Sequence, residues 1–269
     1  MDEAVRINLS NASHRITVLT GAGISAESGI PTFRGPEGYW TIGAREYQPQ
    51  EMATFRMFKR KPEEVWKWYL YRLGVCKEAE PNRGHRILAE MEQKLGDRFR
   101  LVTQNVDNLH LRAGNSQERT FQIHGNVYFM RCSNECRKNL YELPADIFTR
   151  EKNQPLSKKD LELLTCPDCG KLTRPHVLWF DECYDEYYYK FESSIRVAYD
   201  TDVLIIAGTS GATTLPNQIA SIVYNNGKTI IDINIEENPF TELAVNSANG
   251  CFLKMSSSEG LEKINTIIN

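Results

Sequence analysis

Four of the seven cysteines fall into two close pairs, a spacing that is typical of metal ligands. Three residues separate Cys132 from Cys136, and two separate Cys166 from Cys169. Four thiolates complete a tetrahedral zinc shell and leave no position open for water, so the predicted zinc is structural and not catalytic. The alternative is that the four cysteines are unrelated, and the stretch between the pairs is longer than the loop of a common zinc ribbon.

The other three cysteines, Cys76, Cys183 and Cys251, are scattered along the chain. An odd number of cysteines does not suit a disulfide scaffold, and a chain of 269 residues does not need one. We therefore expect these three to be buried thiols.

His124, in the segment Gln122-Ile-His-Gly-Asn126, is a candidate general base. Imidazole has the ordinary pKa best suited to accepting a proton near neutral pH. The alternative is a structural histidine that only donates or accepts a hydrogen bond, which is the commoner role of a lone histidine. Considered by itself, the sequence leaves both interpretations open, as it does for His14, His85, His110 and His176.

The segment Gly21-Ala-Gly-Ile-Ser-Ala26 follows a predicted strand and fits the pattern G-x-G-x-x-A. Its glycines permit a tight turn and the close approach of a pyrophosphate to the start of the next helix. A dehydrogenase would add an acidic residue at the end of a second strand about 20 residues later. The segment Gly38-Tyr-Trp-Thr-Ile-Gly43 has no acidic residue and is not predicted to be such a strand, which weakens the hydride-transfer interpretation.

Small or polar residues follow four predicted strands. They are Gly21-Ala-Gly23, Gln104-Asn105-x-Asp107, Gly208-Thr209-Ser210 and Asn234-x-Glu236. Ligands of an open parallel sheet bind beyond the carboxyl ends of its strands. Backbone amides of 208–210 could hold phosphate, and Asn234 or Glu236 could bind ribose hydroxyls. The alternative for each segment is ordinary turn chemistry.

Short apolar runs predict the strands that would position these residues. They are Arg15–Thr20, Arg98–Thr103, Val203–Ala207 and Thr229–Asn234. Such runs are typical of central strands covered on both faces, as in a parallel sheet. Proline at the start and acidic residues in the first turn predict a helix over Pro62–Arg72, and an amphipathic pattern predicts another over Asn82–Leu95. Residues 129–175 are polar and predict a small zinc-binding insert.

The overall charge narrows the classes of partner. A net charge of −3 and a pI near 6.0 argue against direct binding of nucleic acid through a broad basic surface. No apolar run of about 18 residues occurs, so we expect no membrane partner. The acidic start, Met1-Asp2-Glu3, lacks the features of a signal or transit peptide, and the expected location is cytoplasmic.

Taken together, these residues resemble the sirtuin family of NAD-dependent protein deacylases. The matching stretches keep the family's order and cover nearly the whole chain: Gly21–Arg34, Thr103–Asp107, His124-Gly125, both cysteine pairs, Arg174-Pro175, Gly208–Ser210 and Asn234-x-Glu236. The first of these stretches is the most specific.

The resemblance implies an α/β fold in which a Rossmann-like, doubly wound parallel sheet is joined to a small domain. The large domain would comprise residues 1–36, 86–128 and 176–269. The small domain would comprise a helical module, residues 37–85, and a zinc-binding module, residues 129–175. NAD as co-substrate and an acylated lysine of a substrate protein would meet in the cleft between the domains, and the products would be nicotinamide, free lysine and O-acyl-ADP-ribose.

The resemblance also implies residue roles. His124 would be the general base, and Asn105 the second catalytic residue. The NAD phosphates and the nicotinamide side would be contacted by Gly21, Ala22, Gly23, Ser25 and Arg34. The nicotinamide ribose and carboxamide would be held by Gln104, Asn105 and Asp107, and the phosphates and adenosine by Gly208, Thr209, Ser210, Asn234 and Glu236. Val177, Trp179 and Phe180 would contact the substrate.

A pair of residues indicates which acyl group is removed. Tyr69 and Arg72 are three apart on the predicted helix and therefore share a face. The desuccinylase branch of the family uses this pair to bind an acyl carboxylate, and Ala53 matches a small residue that leaves room for the longer chain. The implied preference is for succinyl, malonyl or glutaryl groups. The alternative is an ordinary amphipathic helix with Arg72 in solvent.

The chain departs from the family pattern at several positions. Asp181 stands where the family has glycine in Phe-Gly-Glu, which puts peptide binding in doubt, and Asn108 stands where many members have glycine. The run Gly211–Thr214 is more polar than usual, and the adenine loop around Ser256–Gly260 matches loosely.

Three rival functions remain open at this stage. An NAD hydrolase or ADP-ribosyltransferase of the same fold would fit the change at Asp181. A non-enzymatic NAD-binding or zinc-bearing module would predict the loss of His124 or Asn105, and both are present. A nicotinamide dehydrogenase is the weakest rival because the ribose acid is missing.

Overall fold

A six-stranded parallel sheet lies at the centre of the computed structural model, which describes residues 3–31, 40–145, 147, 151–152 and 154–268. Across the sheet the strands are β11 (Cys251–Lys254), β10 (Thr229–Asn234), β9 (Val203–Ala207), β1 (Ile16–Thr20), β4 (Phe99–Thr103) and β5 (Thr120–Gln122). Every neighbouring pair is parallel, so the six carboxyl ends meet at one edge. This confirms the predicted α/β, Rossmann-like fold.

The four predicted strands are present, and their burial explains their composition. β9 and β10 have the predicted bounds, and β1 and β4 each begin one residue later than predicted. All five residues of β1 and all five of β9 are buried. A strand that is covered on both faces must be apolar throughout, which is why these runs show no alternation.

Helices cover both faces of the sheet, as a doubly wound fold requires. On one face, a buried cluster joins the strands to α1 (Glu3–Ser10), α6 (Arg83–Leu95) and α13 (Ser257–Asn265). On the other face, a second cluster joins them to α10 (Phe191–Asp200), α11 (Thr214–Asn225) and α12 (Pro239–Asn246). In the described part of the chain, no helix is both long enough and apolar enough to cross a membrane.

A three-stranded antiparallel sheet carries the cysteine pairs. Its central strand is β6 (Gly125–Cys132), which pairs with β7 (Leu140–Glu142) on one side and β8 (Thr173–Val177) on the other. α8 (Lys158–Leu163) precedes the second cysteine pair. β6 and β8 each run across one of the predicted limits of the zinc module, at 128/129 and 175/176.

The helical module contains the hairpin β2 (Trp40–Ile42) and β3 (Arg45–Tyr47), followed by α3 (Pro49–Met52), α4 (Phe55–Arg60) and α5 (Pro62–Glu78). α5 continues six residues beyond its predicted end because Leu73, Gly74 and Cys76 extend its buried face. A third buried cluster combines residues of this module with residues of β6 and β8. The predicted division into domains stays a prediction. The short helices α2 (Gly23–Ala26), α7 (Leu109–Ala113) and α9 (Glu186–Tyr189) complete the described elements.

Candidate active site

His124 lies in the turn between β5 and β6, at the carboxyl edge of the large sheet. Its Nδ1 is 3.0 Å from the carbonyl oxygen of Gln104, and its Nε2 is 2.8 Å from the hydroxyl oxygen of Tyr184. A carbonyl only accepts, so Nδ1 carries the proton and Nε2 has a lone pair. Burial lowers the pKa of His124 to about 4, against a smaller opposing effect of the bond to Gln104. The ring is therefore a neutral base at pH 7.

The side chain of Gln104 connects three segments of the carboxyl edge. Its Nε2 donates to the Thr20 carbonyl (3.2 Å) and to the Thr209 hydroxyl (2.9 Å). Its Oε1 accepts from the hydroxyl of Thr213 (2.8 Å). Since its backbone carbonyl also holds His124, Gln104 fixes the base relative to the ends of β1 and β9.

Asn105, Asp107 and Ser25 form one buried polar cluster next to the first glycine loop. Asn105 Nδ2 donates to the Gly21 carbonyl and to Ser25 Oγ, both at 3.0 Å. Ser25 Oγ donates to Asp107 Oδ2 at 2.7 Å. Burial raises the pKa of Asp107, and hydrogen bonds from the Leu109 amide and Ser25 oppose that rise. The structure thus brings together three of the predicted cofactor residues.

The glycines of the first and third polar segments pack directly against each other. Gly23 N donates to the Gly208 carbonyl at 2.7 Å, and a Cβ on Gly23 would lie 2.7 Å from the Gly208 Cα. Gly208 has φ +63°, and a Cβ there would lie 2.5 Å from the Ile24 nitrogen. The two loops can therefore approach this closely only because both positions, 23 and 208, are glycine. α2 has four residues, so amides of the loop and not a long helix dipole would attract a phosphate.

The last two polar segments end β9 and β10, side by side. Asn234 Nδ2 donates to the Thr209 carbonyl at 2.9 Å, which ties the two segments together. Thr209 is buried, whereas Ser210 and Glu236 are exposed beyond the sheet edge. All four predicted strand ends thus lie at one edge, as the parallel pairing requires.

The four paired cysteines converge on one point in the zinc module. The sulfur atoms of Cys132, Cys136, Cys166 and Cys169 all lie within 4.8 Å of one another. Four sulfurs about 2.3 Å from a tetrahedral zinc ion would be about 3.8 Å apart, so this cluster fits zinc. Left-handed backbone at Glu135 (φ 47°) and Gly170 (φ 68°) lets the chain reverse beside each pair.

The predicted substrate residues Ala53, Tyr69 and Trp179 lie together in the third buried cluster, with Val177. The indole Nε1 of Trp179 donates to the Tyr69 hydroxyl at 2.9 Å, and the Phe180 amide donates to the Ala53 carbonyl at 3.0 Å. Burial raises the pKa of Tyr69, so its hydroxyl stays protonated. Phe180 itself is exposed.

Arg72 is half-buried one turn along α5 from Tyr69, and its guanidinium carbon lies 5.3 Å from the centre of the Trp68 ring. Its positive charge is one of the smaller influences that lower the pKa values of both Tyr69 and Asp107. Arg72 therefore acts electrostatically on the predicted acyl residues and on the predicted cofactor residues at once.

Two departures from the family pattern have a structural explanation. Asp181 accepts hydrogen bonds from the amides of Phe55 (2.7 Å) and Arg56 (3.0 Å), the first residues of α4. Its charge is thus directed at a helix start that favours an anion. Asn108 has φ 68° and is hydrogen-bonded by Asn126, and asparagine tolerates this left-handed backbone better than other side chains apart from glycine.

Sequence reasoning missed several residues of this site. Tyr184 and Thr213 contact the predicted base and Gln104 from distant segments, and no local pattern marks them. Arg174 and Glu182 form a buried ion pair under Trp179; the guanidinium lies 3.5 Å from the indole centre. Of the other three cysteines, Cys76 is buried as expected and Cys251 is half-buried, but the expectation for Cys183 is wrong because it is exposed. Arg34 lies outside the described residues.

A neutral imidazole beside glycine loops at the carboxyl edge of a parallel sheet, together with a separate four-cysteine cluster, is typical of a nucleotide-using α/β enzyme with a structural metal module. The model of the Sir2 family matches residues 21–214. The chain belongs to the Sir2 family, the sirtuins.

Curated relatives and solved structures agree with this assignment. An NAD-dependent protein deacylase of Aquifex aeolicus is 37% identical over 249 residues, 93% of each chain. Another, of Pyrococcus furiosus, is 39% identical and covers 91% of this chain and 89% of its own. The structure of a Sir2 homologue in complex with NAD superposes with a TM-score of 0.81 at 34% identity, covering 100% of this chain and 94% of that one.

Proposed function

We propose that the protein removes acyl groups from lysine side chains of proteins, with NAD as co-substrate and His124 as general base. The observation that carries the proposal is the state of His124: Nδ1 donates to the Gln104 carbonyl, so Nε2 carries the lone pair of the ring, at the carboxyl edge of the sheet. The names of the relatives, all NAD-dependent protein deacylases, support the same reaction. Substrates are therefore acylated proteins, and nucleic acid and membranes are not expected partners.

NAD supplies the ribose carbon to which the acyl oxygen is transferred, and nicotinamide is released. His124 accepts the proton of a ribose hydroxyl, which raises the nucleophilicity of that oxygen toward the acyl carbon. Asn105, fixed by Gly21 and Ser25, is the second catalytic residue and orients the ribose and carboxamide side together with Gln104 and Asp107.

The remaining cofactor contacts follow from the order of the strands. The amides around Gly21–Gly23 and Gly208–Ser210 are the expected phosphate donors, because the two loops meet at the sheet edge. Asn234 and Glu236, at the end of β10, lie on the side expected for adenosine. Ala22, Ser25 and Arg34 complete the set on the nicotinamide side.

The four-cysteine cluster is proposed to hold a structural zinc ion. Its thiolates fill the tetrahedral shell, so the ion contributes folding free energy and no chemistry. The cluster is one strand away from the base, since β6 begins directly after His124 and ends at Cys132.

We further propose that the acyl group carries a carboxylate, as in succinyl, malonyl or glutaryl lysine. Tyr69 accepts a hydrogen bond from Trp179 and keeps its own proton to donate to an anion. Arg72, one turn away, supplies the planar cation that carboxylates prefer. Ala53 leaves space beside them, and the Phe180 segment is the expected partner of the peptide backbone.

The test is mass spectrometry of one lysine peptide, in succinylated and acetylated forms, incubated with NAD and the protein. We expect loss of the succinyl group with O-succinyl-ADP-ribose formed, and no transfer by His124→Ala. Arg72→Met should lose succinyl transfer by about 10–100-fold while keeping the weaker deacetylation, since a charge-assisted pair contributes about 1.5–3 kcal/mol. Arg60→Met, at an exposed position of α4, is the matched control.

Two outcomes would revise the proposal. Removal of acetyl but not succinyl would overturn the roles of Tyr69 and Arg72. Turnover of NAD to ADP-ribose with both peptides intact would make the protein an NAD hydrolase, the alternative that Asp181 first raised. The contact of Asp181 with α4 weakens that alternative, because it gives the carboxylate a structural role. The cytoplasmic location stays a prediction.

A further inference from the structure

The hydroxyl group of Tyr184 contacts the atom of His124 that must accept a proton. The distance from the hydroxyl oxygen to Nε2 is 2.8 Å, and the phenol donates because Nδ1 already carries the ring proton. A neutral imidazole has one lone pair, so Nε2 accepts one hydrogen bond at a time. While Tyr184 stays in place, a ribose hydroxyl cannot donate directly to His124.

Several contacts hold Tyr184 in place. Its ring stacks on Phe191, with centroids 6.2 Å apart and planes at 24°, and packs against the buried cluster under α10 and α11. The side chain of Thr213 and the backbone of Leu215 also lie next to its hydroxyl. Tyr184 is therefore held in a fixed position in the lining of the site.

Thr213, next to the Tyr184 hydroxyl, is also linked to the base through Gln104. Thr213 donates to Oε1 of Gln104 at 2.8 Å, and the backbone carbonyl of Gln104 holds Nδ1 of His124. Thr213 lies in Gly211–Thr214, the segment that is more polar than the family pattern. Thr213, a polar residue where the family is usually more apolar, therefore has a hydrogen-bond partner, Gln104, next to the base. An ordinary turn would not need this partner.

We propose that Tyr184 is a further catalytic residue, through whose hydroxyl the proton of the attacking ribose hydroxyl reaches His124. This inference rests on the role of His124 in the proposed function. The ribose O–H bond breaks as its proton bonds to the Tyr184 oxygen, and the Tyr184 O–H bond breaks as its proton bonds to Nε2. Tyr184 begins and ends as a neutral phenol, and His124 becomes the imidazolium. The freed electron pair of the ribose oxygen forms the bond to the acyl carbon, while the π pair between that carbon and the lysine nitrogen moves to the nitrogen.

The protonation states of both residues suit this transfer. Burial raises the pKa of Tyr184 to about 12, although the neighbouring Thr213 side chain and Leu215 backbone lower it to a smaller extent. The phenol is therefore protonated over the whole neutral range and has a proton to pass on. His124, with a pKa lowered to about 4, is unprotonated over the same range and can receive it.

The first test compares Tyr184→Phe with Tyr187→Phe, a matched change at an exposed tyrosine. Labelled nicotinamide exchanges into NAD, in the presence of acylated peptide, before the proton reaches the base, so exchange reports an earlier step. We expect Tyr184→Phe to lower acyl transfer about 10²–10⁴-fold and to keep exchange, and we expect the same of His124→Ala. Tyr187→Phe should change neither. Adding Tyr184→Phe to His124→Ala should cost little more, because the two residues act in one path.

The second test uses the unmodified protein and so does not depend on how any variant folds. Acyl transfer is measured in mixtures of light and heavy water. Two protons moving together give a curved dependence of the rate on deuterium fraction, and direct transfer to His124 gives a straight line. A straight line, or Tyr184→Phe with full acyl transfer and tighter NAD binding, would overturn the relay. Absence of acyl transfer by the unmodified protein would instead overturn the proposed function.

Discussion

Glu182 is the carboxylate that balances two buried arginines, and its removal is the sharpest test of how the substrate segment is held. Glu182 Oε2 accepts from Arg174 Nη2 at 2.7 Å and from the Trp179 amide at 3.0 Å, and Oε1 lies 3.7 Å from Arg131 Nη2. The arginine side chains are only 2% and 4% exposed. Glu182→Ala would therefore leave two cations without their shared counter-charge.

The expected magnitude follows from that burial. Breaking a buried ion pair costs about 3–5 kcal/mol, and we expect a loss within this range because Arg174 loses its counter-charge, whereas Arg131 keeps its nearer partner Glu135 at 2.9 Å. For a chain of this size, such a loss lowers the melting temperature by roughly 10–20 °C. Trp179 should report the change, since its indole stacks on the Arg174 guanidinium.

The assay is denaturant unfolding followed by tryptophan fluorescence, with calorimetry for the melting temperature. Glu80→Ala is the control: Glu80 pairs with Arg112 at 2.9 Å, but its side chain is 76% exposed. An exposed pair contributes less than about 1 kcal/mol. If Glu182→Ala and Glu80→Ala had the same small effect, the reasoning from burial would be wrong.

Three more predictions concern the glycine loops, the histidines and the metal. Gly208→Ala should destabilise the protein by more than about 2 kcal/mol and abolish NAD binding. Gly227 has φ +66° and no atom near an added Cβ, so Gly227→Ala should cost only the backbone strain of about 1–2 kcal/mol. Equal losses of unfolding free energy for the two variants would contradict this prediction. Burial lowers the pKa values of His85 and His124 to about 4 and of His176 to about 3, so the unfolded chain binds more protons between those values and about 6.5. Stability should therefore fall as the pH drops through that window, by at most about 1.4 kcal/mol per pH unit for each histidine, and His176→Gln should flatten the dependence. Asp232, whose pKa burial raises to about 6, acts in the opposite direction. Cys169→Ser should reduce bound zinc, measured by elemental analysis, and lower the melting temperature, while Cys183→Ser should do neither.

The central strands and the carboxyl edge could be predicted because each depends on local pattern. The apolar run 203–207 must be covered on both faces, and parallel strands must place their polar ends at one edge. β5 and β11 were not predicted, since three or four residues at the two edges of a sheet carry little periodicity and are fixed by pairing with β4 and β10. The family resemblance supplied the roles that no spacing could.

The contacts of individual side chains could not be predicted from the sequence, because they join distant segments of the chain. Tyr184 meets His124 across 60 positions. The carboxylate of Asp181 accepts hydrogen bonds from two amides of α4, and this contact across about 125 positions depends on how the helical module packs. Such contacts depend on tertiary packing, which local propensity does not encode.

Strand β6 sets a fixed length between two functional points, because it starts next to the base and ends at the first thiolate. Deleting a residue from its regularly paired part, Met130–Cys132, would turn the following side chains to the opposite face and aim Cys132 away from its partners. Gly125, with φ +84° and the His176 carbonyl 2.2 Å from an added Cβ, allows no adjustment at the other end. The number of residues from His124 to Cys132 is therefore fixed by the geometry at both ends of β6, and a change in that number would disturb the site and the metal module together.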